Sequence, residues 1–345
     1  MNVVIRADGS TFIGLGHIMR CLGLAHALQA RGAQVLFLAR SIDADVRAIV
    51  RDRGLQVTCV PGGLVVDELV DAANVSAVLR DWPAEIVVVD HYDLGAAWHR
   101  AVRQTSAVRV AAIDDLGNRA MAADWVIDAN LTDDPARKFA GFVDPSARLL
   151  AGPRYALLGP HYASAPRHDP HTEVRSIGIF MGGTDAPKMT TLAHDACRRL
   201  VGFGGAIEIA STRSNPHVQA LQRLTEHDSR TRLTLDQPDL AGFFARHDLQ
   251  IGAGGSATWE RCCIGSPTVA VLTAPNQRHV LLPLCHLDVL DVVTADPPST
   301  EDVAQSVRAL IASPSRRAAM SRASRTLVDG LGAGRVADTL LSLKP

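Results

Sequence analysis

Ile86-Val87-Val88-Val89-Asp90 is an unbroken run of apolar, mostly β-branched residues that ends in a carboxylate. A half-exposed strand alternates polar and apolar residues. A continuous run of this length instead belongs to a strand covered on both faces, as in a parallel sheet layered by helices. The flanking pattern agrees. Asn2 to Arg6 reads as a strand, and Gly16 to Arg31 as a helix with Ile18, Leu22, Ala25 and Leu28 on one face. Ala33 to Ala39, Val57 to Val60, Arg109 to Ile113 and Trp125 to Asp128 read as further strands, with helices expected at 43–52, 65–79 and 96–105. Strand alternating with helix is the signature of an α/β fold.

The 345 residues exceed what a typical single core organises, so two domains are expected. Gly159 to Val174 holds three prolines and three histidines without periodicity and reads as a linker. A second α/β series follows it. The expected division is 1–160, a linker at 161–174 and 175–345, with the last helix able to pack back on the first domain. Two doubly wound Rossmann-like domains facing a cleft form the expected architecture.

The net charge of −1 supplies no basic field for nucleic acid, and aromatics at 4% leave few base-stacking platforms. Six scattered cysteines without a CxxC pair point to a reduced, cytoplasmic setting. The vicinal pair Cys262-Cys263 is expected to pack rather than ligate. No signal peptide is read at the N-terminus, and no apolar run is long enough to span a bilayer.

The densest chemistry lies in Asp248 to Gln277. A short strand through Ile251 runs into Gly252, Gly254, Gly255 and Ser256, and a helix is expected from Ala257 to Gly265. Glycines without Cβ let backbone amides close on a ligand, and the helix start directs unpaired N–H groups at the same spot. A diphosphate is the natural occupant. Glu260, one turn into the helix, can accept hydrogen bonds from a ribose diol, and Trp259 beside it is expected in the core. Gly265 is the expected C-cap, and Asn276 and Gln277 follow the next strand. The alternative is a glycine turn that binds nothing. The stretch fits neither a Walker loop nor the GxGxxG fingerprint. Met181-Gly182-Gly183-Thr184-Asp185 is a second glycine turn. Gly183 and Asp185 either approach the same ligand or form a tight turn capped by Asp185.

In the first half, the loop after the first strand carries Asp8, Gly14 and Gly16, followed by His17 and Arg20 in the first turn of a helix. The positive end of a helix disfavours imidazolium, so His17 is the best general-base candidate. Asp8 can orient its ring or contact a sugar. The plain alternative is a histidine at a helix start with no chemistry. Asp90-His91-Tyr92-Asp93, Asp114-Asp115 and Asp128-Ala129-Asn130 deliver polar groups suited to hydroxyls and N-acyl groups. Asp90, His91, Asp114 and Asp115 can also be read as metal ligands, but Asp-Asp after a strand is more often loop-capping.

Taken together, GLGHIMRCLGLAHAL, VVVDHYDL, IDDL, IDANL, GPRYALLGP, FMGGTDA, GAGGSATWERCCIGSP and APNQ resemble the UDP-sugar hydrolase family of the pseudaminic acid pathway and the related spore-coat polysaccharide proteins. That family is similar in fold to the GT-B glycosyltransferases. The resemblance implies a UDP-2,4-diacetamido-2,4,6-trideoxy-β-L-altropyranose substrate, hydrolysed by water at the anomeric carbon with inversion and without a metal or other cofactor. It places the base on His17, a substrate tyrosine on Tyr92, UDP contacts on Gly254, Gly255, Ser256 and Glu260, and further contacts on Asn276 and Gln277. Gly14, Gly16, Arg20, Gly183 and Asp185 complete the expected substrate set. The expected protein is a monomer acting on a small-molecule UDP-sugar, with no nucleic acid partner and no stable membrane insertion. A glycosyltransferase using a UDP-sugar donor, and a nucleotide-sugar-binding module without turnover, are the other readings.

Overall fold

Two parallel sheets carry the chain in the computed structural model, which describes residues 1–9, 15–62, 65–185 and 187–342. The first has seven strands: β1 (Asn2–Ala7), β2 (Gln34–Ala39), β3 (Gln56–Cys59), β4 (Ile86–Asp90), β5 (Arg109–Ile113), β6 (Trp125–Asp128) and β7 (Arg148–Ala151). Their order is β3-β2-β1-β4-β5-β6-β7, so the chain reverses direction across the sheet between β1 and β4. The second has β8 (Ser176–Phe180), β9 (Ala206–Ser211), β10 (Thr231–Leu235), β11 (Leu249–Ala253), β12 (Thr268–Val271) and β13 (Asp291–Val293), ordered β10-β9-β8-β11-β12-β13.

The run at Ile86–Val89 behaves as its composition demands. Ile86 and Val88 enter one core with Val3, Ile5 and Ile18, while Val87 and Val89 enter the core on the opposite face with Val4, Trp98 and Val110. In the second unit Ile177, Ile179, Ile251, Val269 and Val271 form the corresponding core. At ~25 cal/mol per Å² of apolar surface removed from water, these layers supply the main drive for folding.

The chain divides into one unit of Met1–Pro160 with Gly330–Pro345, and a second of His161–Asp329. The helix Gly332–Leu341 packs on Gly16–Gln29, and Arg31 pairs with Asp338 at 2.5 Å. The segment expected as a linker is structured differently. His161–Ser164 is helical and packs on Ala257–Ile264, and the His168 amide donates to Ile264 O at 2.9 Å. Its irregular composition reflects a short, locally fitted connection that is part of the second unit. β7 is the other departure, a four-residue strand between polar turns with no β-branched run to mark it in the sequence.

All six cysteines are free, and Cys262 and Cys263 are buried. Among the described residues no helix is long and apolar enough to cross a membrane.

Candidate active site

β1 and β4 lie side by side with Ala7 opposite Asp90, which brings two carboxylates, Asp8 and Asp90, to one sheet edge. They have different partners. Arg6 is wholly buried and gives Nη1 to Asp8 (2.7 Å) and Nη2 to Asp71 (2.7 Å), and Asp71 also accepts from Trp98 Nε1. Asp8 Oδ1 accepts the amides of Arg40 (2.7 Å) and Ser41 (3.0 Å), and His91 Nε2 lies 3.3 Å from Oδ2. Burial alone would raise the Asp8 carboxyl, but His91, Arg6 and the Ser41 amide outweigh it and hold it well below the usual carboxylate range. Asp8 therefore fastens the loops around β1 and does not contact the His17 ring, contrary to the orienting role expected from its place in the chain.

Asp90 takes that role. Its Oδ1 lies 2.6 Å from His17 Nδ1, and Arg20 grips both oxygens, Nη2 to Oδ1 and Nε to Oδ2, each at 2.6 Å. Cys21 Sγ donates to Oδ2 at 3.5 Å. Burial opposes ionisation, but the Arg20 charge dominates and keeps Asp90 a carboxylate. An ionised carboxylate only accepts, so Nδ1 carries a hydrogen, and in the neutral ring it is Nε2 that holds the lone pair. Among the described residues Nε2 has no partner, and the side chain is 16% exposed. A base of defined tautomer with one open nitrogen is what proton abstraction from water requires.

The ring is also held from the side. Tyr92 meets it edge-on with centroids 5.1 Å apart, and the Tyr92 hydroxyl donates to Asp115 Oδ1 at 2.8 Å. Asp115 Oδ2 lies 3.6 Å from Arg20 Nη1, closing a circuit of five residues. Burial and then the Asp115 charge push the Tyr92 phenol well up, so it serves as a neutral donor.

The remaining strand ends are largely engaged. Asp114 accepts the Leu116 and Gly117 amides and pairs with Arg119, which also reaches His91 O. His91 Nδ1 accepts the Asp93 amide, which fixes its hydrogen on Nε2, towards Asp8. Asp128 binds Lys138 at 2.6 Å and accepts the Asn130 amide. Gly16 opens the helix Gly16–Gln29; Gly14 lies outside the described residues.

In the second unit, β11 runs into the glycine turn and the helix Ala257–Ile264, which ends at Gly265 in the left-handed conformation (φ +82°). The three turn glycines serve different needs. A Cβ on Gly252 would lie 2.3 Å from Arg261 Nη1, and one on Gly254 would lie 2.7 Å from Leu281 Cδ1. Only Gly255 is open, with nothing within 4 Å of the added carbon. The amides of Gly255, Ser256 and Ala257 have no acceptor among the described residues, and Ser256 does not cap its helix. The Gly254 amide is taken by Gln277 Oε1 at 3.3 Å, which also accepts the Thr273 amide, so Gln277 lies against the turn. Asn276 beside it is exposed.

Two features of this turn are not evident from the chain alone. Arg261 is 1% exposed beneath it, with Nη2 on Ala253 O (2.8 Å) and with Nε and Nη1 unpartnered among the described residues. Burial pulls its guanidinium down to about 10, which leaves it a cation at neutral pH beneath the open amides. Glu260 pairs with the Tyr162 hydroxyl, and burial pushes its carboxyl up. Trp259 is core, as expected. Asp185 (φ +41°) accepts the Met189 and Thr190 amides at 2.8 Å each, so its carboxylate starts the following helix; Gly183 offers its carbonyl to Thr212.

No family model matches the chain. It is 22% identical over 347 residues to spore coat polysaccharide biosynthesis protein SpsG of Bacillus subtilis, covering 99% of this chain and 98% of that one. It is also 22% identical over 279 residues to the UDP-2,4-diacetamido-2,4,6-trideoxy-β-L-altropyranose hydrolase of Campylobacter jejuni, covering 81% and 94%. Among solved structures, the spinosyn rhamnosyltransferase SpnG superposes with a TM-score of 0.68 at 16% identity, covering 99% of this chain and 100% of that one. Two parallel sheets of these strand orders define an α/β protein of the GT-B fold, and the sequence relatives point to a nucleotide-sugar enzyme. Within that fold its sequence is similar to the SpsG-type proteins, and both relatives match it over most of its length.

Proposed function

We propose that the protein hydrolyses a UDP-linked 2,4-diacetamido-2,4,6-trideoxyhexose, the substrate named for its Campylobacter relative, to the free sugar and UDP. The observation that carries this reading is His17 Nδ1 on the Asp90 carboxylate, with no partner on Nε2 among the described residues. In the proposed step Nε2 removes a proton from water as the water oxygen attacks the anomeric carbon. The anomeric C–O bond breaks, its electron pair leaves on the β-phosphate of UDP, and the configuration inverts. The imidazolium formed lies against Asp90, which is already ionised to receive it. The open amides of Gly255, Ser256 and Ala257, with Arg261 beneath them, suit the charge that develops on the diphosphate.

Turnover in ¹⁸O-labelled water without any acceptor, read by mass spectrometry of both products, tests it. Label in the free sugar is expected. Label in UDP would mean attack at phosphorus, and turnover that appears only when an acceptor hydroxyl is supplied would make the protein a glycosyltransferase. Either result overturns the reading.

A further inference from the structure

The first sheet has a second polar region, at the edge opposite His17, where β5, β6 and β7 begin. A cavity of about 860 Å³ lies there, walled on one side by residues 141–146. Arg100 and Arg103 reach it from the helix Ala96–Thr105, Arg109 from the first position of β5 and Arg148 from the first position of β7. Two aspartates share the lining, and both are committed. Asp124 pairs with Arg103 and accepts the Val110 amide at 2.7 Å. Asp144 accepts the amide and hydroxyl of Ser146. Arg100, Arg109 and Arg148 are exposed and have no acidic partner among the described residues. In a chain of 35 basic and 36 acidic residues this is a marked local imbalance.

The cavity also has a fixed floor. Trp125 is 6% exposed, and the Arg109 guanidinium lies over its ring at 5.6 Å, a cation–π contact that restrains the plane of the fork. His99 is fully buried and accepts the Ala122 amide on Nδ1. Burial first, and then Arg119, Arg103 and Arg100, pull its imidazole down to about 3. Planar guanidinium forks match the oxygens of phosphate in pairs, and the volume falls within the range of small-molecule sites.

We propose that this cavity is a second anion site, for a compact polyphosphate such as the di- or triphosphate of a nucleotide, held by Arg100, Arg109 and Arg148. The site is independent of the hydrolytic reading and of every residue in it. A third guanidinium in the same depression distinguishes a polyphosphate from a lone carboxylate or monophosphate, because like charges held together are offset best by a ligand of matching multiplicity.

Calorimetric titration of the full chain with inorganic tripolyphosphate at physiological ionic strength tests it. The wild type should bind, and Arg100→Gln/Arg109→Gln/Arg148→Gln should bind at least tenfold more weakly while its nucleotide-sugar turnover stays unchanged. A control with three exposed arginines replaced elsewhere, Arg51→Gln/Arg223→Gln/Arg322→Gln, should bind as the wild type does. No binding by the wild type, equal binding by the cavity variant, or equal loss in the control would each overturn the proposal.

Discussion

Tyr92 gives its hydroxyl hydrogen to Asp115, 2.8 Å away, and so fixes its ring edge-on to His17. The same Asp115 stands 3.6 Å from Arg20, the residue that grips Asp90. The candidate base is thus held along two routes, through Asp90 to Nδ1 and through Tyr92 to the ring edge, and both routes pass through one aspartate near the surface.

Replacing Asp90 by Asn removes the carboxylate that sets the His17 tautomer, and Arg20 is then left beside a neutral group. We expect kcat to fall by about 10²–10⁴-fold. Asp90 is 1% exposed and makes its contacts within the protein, so KM should change little. Asp115→Asn should act in the same direction but by about tenfold, since Asp90 still orients the ring. Steady-state kinetics on both variants check the order. Equal kcat values for Asp90→Asn and wild type would remove Asp90 from the mechanism.

The contrast between Asp8 and Asp90 shows what the sequence discloses. Both stand at the end of a strand, both precede polar loops, and Asp8 is the nearer to His17 along the chain. Which carboxylate meets the imidazole is decided by how the side chains turn where β1 lies beside β4, a tertiary relation spanning 73 residues. Ile86–Val89 disclosed a strand buried on both faces because composition alone determines that. Gly265 disclosed a helix end because its backbone conformation favours glycine. β7 stayed hidden, since Arg148-Leu149-Leu150-Ala151 has no β-branched residue and is only four residues long. In the sequence Gly252 and Gly254 look ligand-facing, whereas in the fold their missing Cβ atoms make room for Arg261 and Leu281.

That difference among the turn glycines is measurable. Gly254→Ala places a methyl 2.7 Å from Leu281 Cδ1 and should cost about 1–3 kcal/mol of stability by overpacking. Gly255→Ala meets no atom within 4 Å and should unfold within about 0.5 kcal/mol of wild type. If the diphosphate approaches the open amides, Gly255→Ala nevertheless weakens UDP binding about tenfold. Denaturant unfolding and UDP calorimetry on the pair separate packing from binding. An Ala at 255 that destabilises as much as one at 254 would contradict the assignment.

Among the described residues Arg6 is the only cation that pairs with Asp71, and it also binds Asp8; all three side chains are nearly inaccessible. Arg6→Met leaves two buried carboxylates without the guanidinium they share and should destabilise the first unit by about 3–5 kcal/mol. Urea unfolding monitored by circular dichroism measures it. A loss below about 1 kcal/mol would mean that the Arg40 and Ser41 amides and His91 suffice to hold Asp8.

His99 gives the chain a pH-dependent weakness. Its imidazole is fully buried, accepts the Ala122 amide, and is pulled down to about 3 by burial and by the nearby arginines. The unfolded chain protonates this residue near its ordinary value of about 6.5, while the folded chain does not. Between those values the unfolded state binds the extra proton, so stability falls as pH falls, by up to about 1.4 kcal/mol per pH unit from this group. His168 and His194, also lowered chiefly by burial, add to the same slope. His99→Gln should cost some stability at pH 7.5 through the altered contact with Ala122, yet flatten the decline between pH 6 and pH 4. Urea midpoints at half-unit pH intervals read the slope directly. A variant whose stability falls as steeply as the wild type's would show that His99 is not the group taking up the proton.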